Sequence, residues 1–118
     1  MKTILIAEDT DSNYLLLSII LRKTFLLKRA LNGQEAVNLF QIEKPDLILM
    51  DMKMPIMDGL DATREIRKTD PDIPIIVLTA NAFDCDRQKS VEAGCTDYMA
   101  KPIIATELMA MINKYLGD

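Results

Sequence analysis

The chain contains no histidine. That excludes Ser-His-Asp and Cys-His catalysis, and with them the histidine-rich zinc sites. Any chemistry here must come from carboxylates, lysine, hydroxyls and a hard metal ion. Cysteine is scarce: Cys85 and Cys95 are the only two, without metal-ligand spacing. So small a set makes no disulfide framework, and both read as free thiols in a reducing cytoplasm. Long hydrophobic runs are missing. The first apolar run, Ile4-Leu5-Ile6-Ala7, follows Met1-Lys2 directly and is closed by Glu8 and Asp9. It is far too short to span a bilayer, and no signal peptide is read there. An excess of basic residues is also lacking. The net charge of −4 argues against direct binding of nucleic acid or an anionic membrane, both of which are anionic themselves.

What is present fits a single domain over residues 1–118, long enough to bury one real core. Short apolar runs alternate with amphipathic stretches. Thr3–Ala7 predicts a buried strand, and Asp11–Lys23 a helix that Thr10 or Asp11 could cap. Leu26–Leu31 is a weaker strand, interrupted by Lys28 and Arg29, and so belongs near the sheet edge. Asn32-Gly33 turns into a helix over Gln34–Glu43. Asp46–Met50 predicts the third strand, and Asp58 caps a helix to about Lys68. After Pro71 and Pro74 comes the most clearly buried strand, Ile75–Leu78. A helix from Asp84 to Ala93 is stopped by Gly94, then Asp97–Met99 and Thr106–Leu116 supply a last strand and helix. Five successive βα units imply an α/β fold with a doubly wound five-stranded parallel sheet, helices on both faces. The flavodoxin-like strand order 2-1-3-4-5 is the natural choice at this size, and functional groups then gather at the carboxyl ends of the strands.

Those ends carry Glu8-Asp9, Asp51, Thr79-Ala80 and Lys101-Pro102. Three carboxylates in a small space repel one another and raise each other's pKa values. They make sense around a hard dication, and Mg2+ prefers carboxylate oxygens while keeping several waters. A cation there lets an anionic phosphoryl group approach an anionic nucleophile. Asp51 is the best nucleophile, because carboxylates do form acyl phosphates. The Lys101 ammonium would pair with phosphoryl oxygens, and the Thr79 hydroxyl would donate to another.

The chain resembles the response-regulator receiver domain of two-component and phosphorelay systems along its whole length, most of all the receivers of hybrid histidine kinases. The resemblance rests on Asp51-Met-Lys-Met-Pro-Ile-Met-Asp-Gly59, Val77-Leu-Thr-Ala80 and Ala100-Lys-Pro102. It implies Asp51 as phosphoacceptor and a magnesium site of Glu8, Asp9, Asp51 and the backbone carbonyl of Lys53. It also implies a cis peptide before Pro102 and, through Thr79 and Tyr98, a switch in which Tyr98 fills space that Thr79 vacates. Many receivers carry two aspartates where this chain has Glu8-Asp9. The longer Glu8 is expected to reach metal through water, with Asp9 the surer direct ligand. The implied donor is a histidine kinase or histidine phosphotransfer protein, because a chain without histidine cannot be that donor itself. The implied output is a downstream effector, or a second copy, meeting the face around strand 5. Lys53 and Asn81, two residues beyond Asp51 and Thr79, occupy positions that tune hydrolysis in the family; neither is an acid, which points to slow to moderate self-dephosphorylation.

Each of these residues has a plain alternative. Glu8-Asp9 could be a turn, Asp51 could begin a loop, Thr79 suits a strand by shape, and Lys101 could be solvated. Their coincidence at four strand ends favours the functional reading. Met50, Met52, Met54 and Met57 are better explained by packing than by metal binding. The first helix, with Tyr14-Leu15-Leu16-Leu17-Ser18-Ile19-Ile20-Leu21, has more apolar residues than one buried stripe needs. Either the core contact is broad or a partner docks there, as phosphodonors do in this family. A haloacid dehalogenase-type phosphatase shares the residue types but needs Asp-x-Asp after its first strand and a cap domain. A flavin module would need a phosphate cradle where Glu8-Asp9 repels one. A receiver that works without phosphorylation is opposed by the complete set of acids, Thr79 and Lys101. The expectation is therefore a phosphorylation-activated switch that catalyses only its own phosphorylation and dephosphorylation.

Overall fold

The computed structural model describes residues 1–80 and 84–117, with backbone alone for residues 84–86. Ten elements alternate along the chain: β1 Thr3–Ala7, α1 Asp11–Leu21, β2 Leu26–Ala30, α2 Gly33–Glu43, β3 Leu47–Asp51, α3 Gly59–Thr69, β4 Ile75–Thr79, α4 Asp84–Ala93, β5 Asp97–Ala100 and α5 Ala105–Leu116. The five strands form one sheet in the order β2-β1-β3-β4-β5, every pair parallel. This is the doubly wound α/β arrangement expected from the alternation of apolar runs and amphipathic stretches.

The burial of each strand follows from its place in that order. β3 and β4 are buried at every residue and β1 at all but Thr3, because helices cover both faces of the sheet. β2 alternates between exposed and covered positions, as an edge strand can. On one face Leu17 and Leu21 of α1 and Leu108 and Ile112 of α5 pack on Ile4, Ile6, Leu49 and Leu78. On the other, Ala36 of α2 and Ala62 and Ile66 of α3 pack on Leu5, Ile48, Met50 and Ile75. A smaller group, Met52, Leu60, Val77 and Ala93, lies beneath Tyr98.

The helix ends follow local chemistry. Asp58 accepts from the Asp61 N–H at 2.8 Å, and Asn32 accepts from the Glu35 N–H at 2.9 Å, so both helices start on a side-chain cap. The expected cap on α1 does not form. Thr10 sits at the cap position without a side-chain bond, and the Asp11 carboxylate instead meets Arg29 Nη2 at 2.9 Å. α1 also ends at Leu21, two residues short of Lys23, where the Thr24 N–H closes a tighter turn onto the Leu21 carbonyl and the chain carries Phe25 into the core. Gly94, at φ 101°, ends α4 as expected. One glycine is indispensable for another reason: a Cβ on Gly59 would lie 2.0 Å from the Asp51 carbonyl oxygen. α3 can therefore start directly against the end of β3.

Candidate functional site

Parallel pairing aligns the carboxyl ends of β1, β3, β4 and β5. Ala7 lies opposite Met50, Asp51 opposite Leu78 and Thr79 opposite Ala100. The next residues, Glu8, Asp9, Met52, Ala80 and Lys101, therefore emerge along one rim. One oxygen each of Glu8, Asp9 and Asp51 lie within 4.8 Å of one another. Lys101 Nζ stands 3.4 Å from both Glu8 Oε2 and Asp51 Oδ1. Thr79 is buried beside them, its hydroxyl 3.9 Å from Met52 Sδ. The Lys101 N–H donates to the Thr79 carbonyl at 2.8 Å, and the Lys101-Pro102 peptide is cis, as the family resemblance implies.

The three acids have different surroundings. Glu8 is wholly buried. Its Oε1 accepts from the Thr10 N–H at 3.2 Å and from Asn13 Nδ2 at 3.4 Å, while Oε2 faces Lys101. Asp51 is nearly buried, and the Lys53 N–H reaches its Oδ1 at a long 3.4 Å. Asp9 is exposed. Asp9, Thr10, Asn13, Asp51, Met52, Lys53, Thr79, Ala80 and Lys101 line an open cleft of about 240 Å3. Glu8 does not line it; it faces a smaller adjoining cavity of about 120 Å3 with Asn13, Leu16 and Ile103.

The electrostatics of Asp51 follow from this packing. Burial pushes its pKa up from 3.8 to about 6, the neighbouring Glu8 carboxylate adds to the rise, and Lys101 opposes it. Among the described residues Lys101 alone pairs with the acid trio, so the carboxylates outnumber the ammonium that contacts them. The donor set is all oxygen and mostly carboxylate, with a partly open cleft that leaves room for water. Those are the properties of a magnesium site. Asp9 and Asp51 face the cleft and could hold such an ion directly, while Glu8 stands behind them.

Every residue predicted at the strand ends is therefore in one place. Tyr98 lies a short distance away, half-buried on Met52, Leu60, Val77 and Ala93, with the Arg87 guanidinium 5.6 Å above its ring. Asn81 lies outside the described residues, as does the side chain of Cys85. Cys95 is a free thiol whose pKa burial pushes up to about 11. Two further residues stand at this rim, and of these Arg29 was not expected there. Asn13 lies four residues after Asp9, and its place on the first turn of α1 faces the same rim. Arg29 comes from the edge strand: its Nε donates to the Glu8 carbonyl at 3.1 Å.

A doubly wound sheet with an acid trio, a threonine and a lysine at its carboxyl rim fits the receiver class of signalling domains. The chain belongs to the response regulator receiver domain family, whose pattern it matches over residues 4–113. It is a receiver domain of two-component and phosphorelay signalling. A segment of hybrid signal transduction histidine kinase G from Dictyostelium discoideum is 41% identical over 118 residues, covering 95% of this chain and 3% of that protein. The polar-differentiation response regulator DivK of Brucella anthropi is 35% identical over 120 residues, covering 99% of this chain and 98% of DivK. Among solved structures, the receiver domain of sensor histidine kinase PA1611 from Pseudomonas aeruginosa, with a magnesium ion coordinated in its active site cleft, aligns with TM-score 0.92 and 37% identity, covering 99% of this chain and 98% of that one. A co-crystal structure of the Saccharomyces cerevisiae phosphotransfer protein Ypd1 with the receiver domain of Ssk1 aligns with TM-score 0.91 and 32% identity, over 97% of this chain and 88% of that one.

Proposed function

We propose that Asp51 accepts a phosphoryl group from a phosphohistidine, in a reaction that uses Mg2+ held by Asp9, Asp51 and the Lys53 backbone carbonyl, with Glu8 behind them through water. The observation that carries this is the convergence of one nearly buried carboxylate with Lys101 at 3.4 Å and two further acids. Burial of like charges costs stability, a cost that a functional role for the acids explains.

Mg2+ bound by these residues would supply neutralising charge for the incoming phosphoryl group. The chain's own residues do the rest. An Asp51 carboxylate oxygen attacks phosphorus while the P–N bond of the donor imidazole breaks, its electron pair returning to the ring nitrogen. Above about pH 6 Asp51 is mostly ionised and ready for that attack. The Lys101 ammonium, already beside Asp51 Oδ1, follows the charge onto the phosphoryl oxygens, and the Thr79 hydroxyl donates to another. In this reading the chain catalyses its own phosphorylation and dephosphorylation and turns over no other substrate. Such chemistry suits the cytoplasm, where phosphohistidine donors act.

The apolar surplus of α1 supports a docking role. Leu15, Leu16 and Ile19 are about half exposed while Leu17 and Leu21 are buried, and Ile104 stands exposed just after the cis peptide. A histidine kinase or histidine phosphotransfer protein seated there would bring its histidine over the cleft. The Ypd1 complex shows that this kind of partner is taken by a related receiver. Output runs the other way. Thr79 touches Met52, Met52 belongs to the group beneath Tyr98, and Tyr98 borders the face of β5 and α5. Thr79 drawn toward a phosphoryl group lets Tyr98 turn inward, changing the face offered to an effector or a second copy.

The test is beryllofluoride, a phosphoryl mimic, read by fluorine NMR. Bound fluorine signals are expected with Mg2+, lost with chelator and lost in Asp51→Ala. No bound signal in the native protein would sink the assignment.

A further inference from the structure

We propose that Arg29 is a positioning residue that aims the Asp9 carboxylate at the magnesium site, an inference that rests on the magnesium reading above. The observation is a fork. Arg29 Nε donates to the Glu8 carbonyl at 3.1 Å, and Nη2 lies 2.9 Å from Asp11 Oδ1 in an ion pair not aligned as a hydrogen bond. The same guanidinium sits 4.6 Å above the Tyr14 ring. One side chain thus touches both ends of the loop that carries Asp9: the end of β1 and the first turn of α1.

The Glu8 carbonyl belongs to the peptide that joins Glu8 to Asp9. Holding its oxygen fixes the plane of that peptide and with it the Asp9 N–Cα bond, the axis about which the Asp9 Cα–Cβ bond is set. The other side of Glu8 is already fixed, its N–H donating to the Ala30 carbonyl at 3.0 Å. The Glu8 carboxylate is held by Thr10, Asn13 and Lys101. Asp9 has no comparable restraint on its own carboxylate among the described residues, so its aim depends on the backbone around it. That backbone is where Arg29 acts.

The contact with Asp11 is not what holds the arrangement together. Asp11 is 92% exposed, so the ion pair is a weak contributor. The fork needs a planar guanidinium, because an ammonium cannot reach the carbonyl and Asp11 in fixed relation while stacking on Tyr14. A purely electrostatic role predicts the opposite sign. A cation beside an acid site repels Mg2+, so removing it should tighten binding.

The experiment is calorimetric titration of Mg2+ into the native chain, Arg29→Met, Arg29→Lys and Asp11→Asn, with circular dichroism confirming the fold of each. Both Arg29 variants are expected to bind Mg2+ about tenfold more weakly, the lower end of what partners behind metal ligands contribute. Asp11→Asn keeps the bond to the Glu8 carbonyl and should bind within about twofold of native, a margin far below the loss that removal of an outer partner brings. Unchanged or tighter binding in the Arg29 variants overturns the proposal, as does full rescue by lysine. If Arg29→Met does not fold, Arg29→Lys decides alone. Failure of the native chain to bind Mg2+ would instead remove the magnesium reading itself.

Discussion

Replacing Asp51 with Asn should make the protein more stable at neutral pH while abolishing its chemistry. The side chain is only 10% exposed, and its pKa stands at about 6 against 3.8 for a free aspartate, because burial and then Glu8 disfavour the ionised form. A folded-state pKa above the unfolded one means the native protein retains a proton that the unfolded chain releases. Stability therefore falls as pH rises through the interval from 3.8 to about 6, and the loss is complete above it. At about 1.4 kcal/mol per pKa unit, the ionised carboxylate costs about 3 kcal/mol at pH 7.5. Asn is nearly isosteric and carries no charge. Allowing for its own imperfect hydrogen bonding, the gain should be about 1–3 kcal/mol. Urea unfolding at pH 7.5 in chelator should show this as a higher midpoint with an unchanged slope. At pH 4 the difference should nearly vanish. Added Mg2+ should narrow the gap at pH 7.5 by stabilising the native protein alone. An Asn variant less stable than native at pH 7.5, or a difference that does not change with pH, would refute the electrostatic account of the site.

Three other outcomes follow from particular positions. Ile56 is β-branched, 84% exposed and held at φ 70°, a backbone region that costs such a residue about 1 kcal/mol or more. Ile56→Asn should raise stability by about that amount in urea, and a loss would show that Ile56 makes a contact worth more than the strain. Gly59→Ala should destabilise by more than about 2 kcal/mol, despite alanine's higher helix propensity, because the new Cβ meets the Asp51 carbonyl; thermal unfolding reads this directly. Leu15→Asp, on the most exposed leucine of α1, should slow phosphotransfer from a histidine donor about tenfold or more, the effect of losing roughly 1.4 kcal/mol of docking, yet leave labelling by acetyl phosphate unchanged. Equal loss of both would place the damage in the site rather than in docking.

The central frame was legible because burial on both faces leaves its mark on composition. Ile75–Leu78 and the run ending at Met50 are unbroken apolar stretches, and they form the middle of the sheet. The interrupted run with Lys28 and Arg29 forms the edge. The site was legible for a related reason. Residue types that are poor choices for a core sit directly after strands, and parallel topology can only bring such positions together. What escaped the sequence depends on contacts between segments distant along the chain. Nothing in the sequence marks Arg29 as the residue that grips the Glu8 carbonyl, since the register of β2 against β1 sets that meeting. The complete burial of Glu8 depends likewise on Lys101, ninety-three positions away. Thr10 looked like a helix cap by type, but Asp11 pairs with Arg29 and the Thr10 N–H serves Glu8. The left-handed backbone at Ile56 runs against its residue type, and no local signal announces it.

The most direct test is the intact mass of the protein after incubation with acetyl phosphate and Mg2+, followed by peptide mapping of the adduct. One phosphoryl group is expected per chain, located at Asp51, absent in chelator and absent in Asp51→Ala. No adduct, or one that persists in Asp51→Ala, would contradict the account.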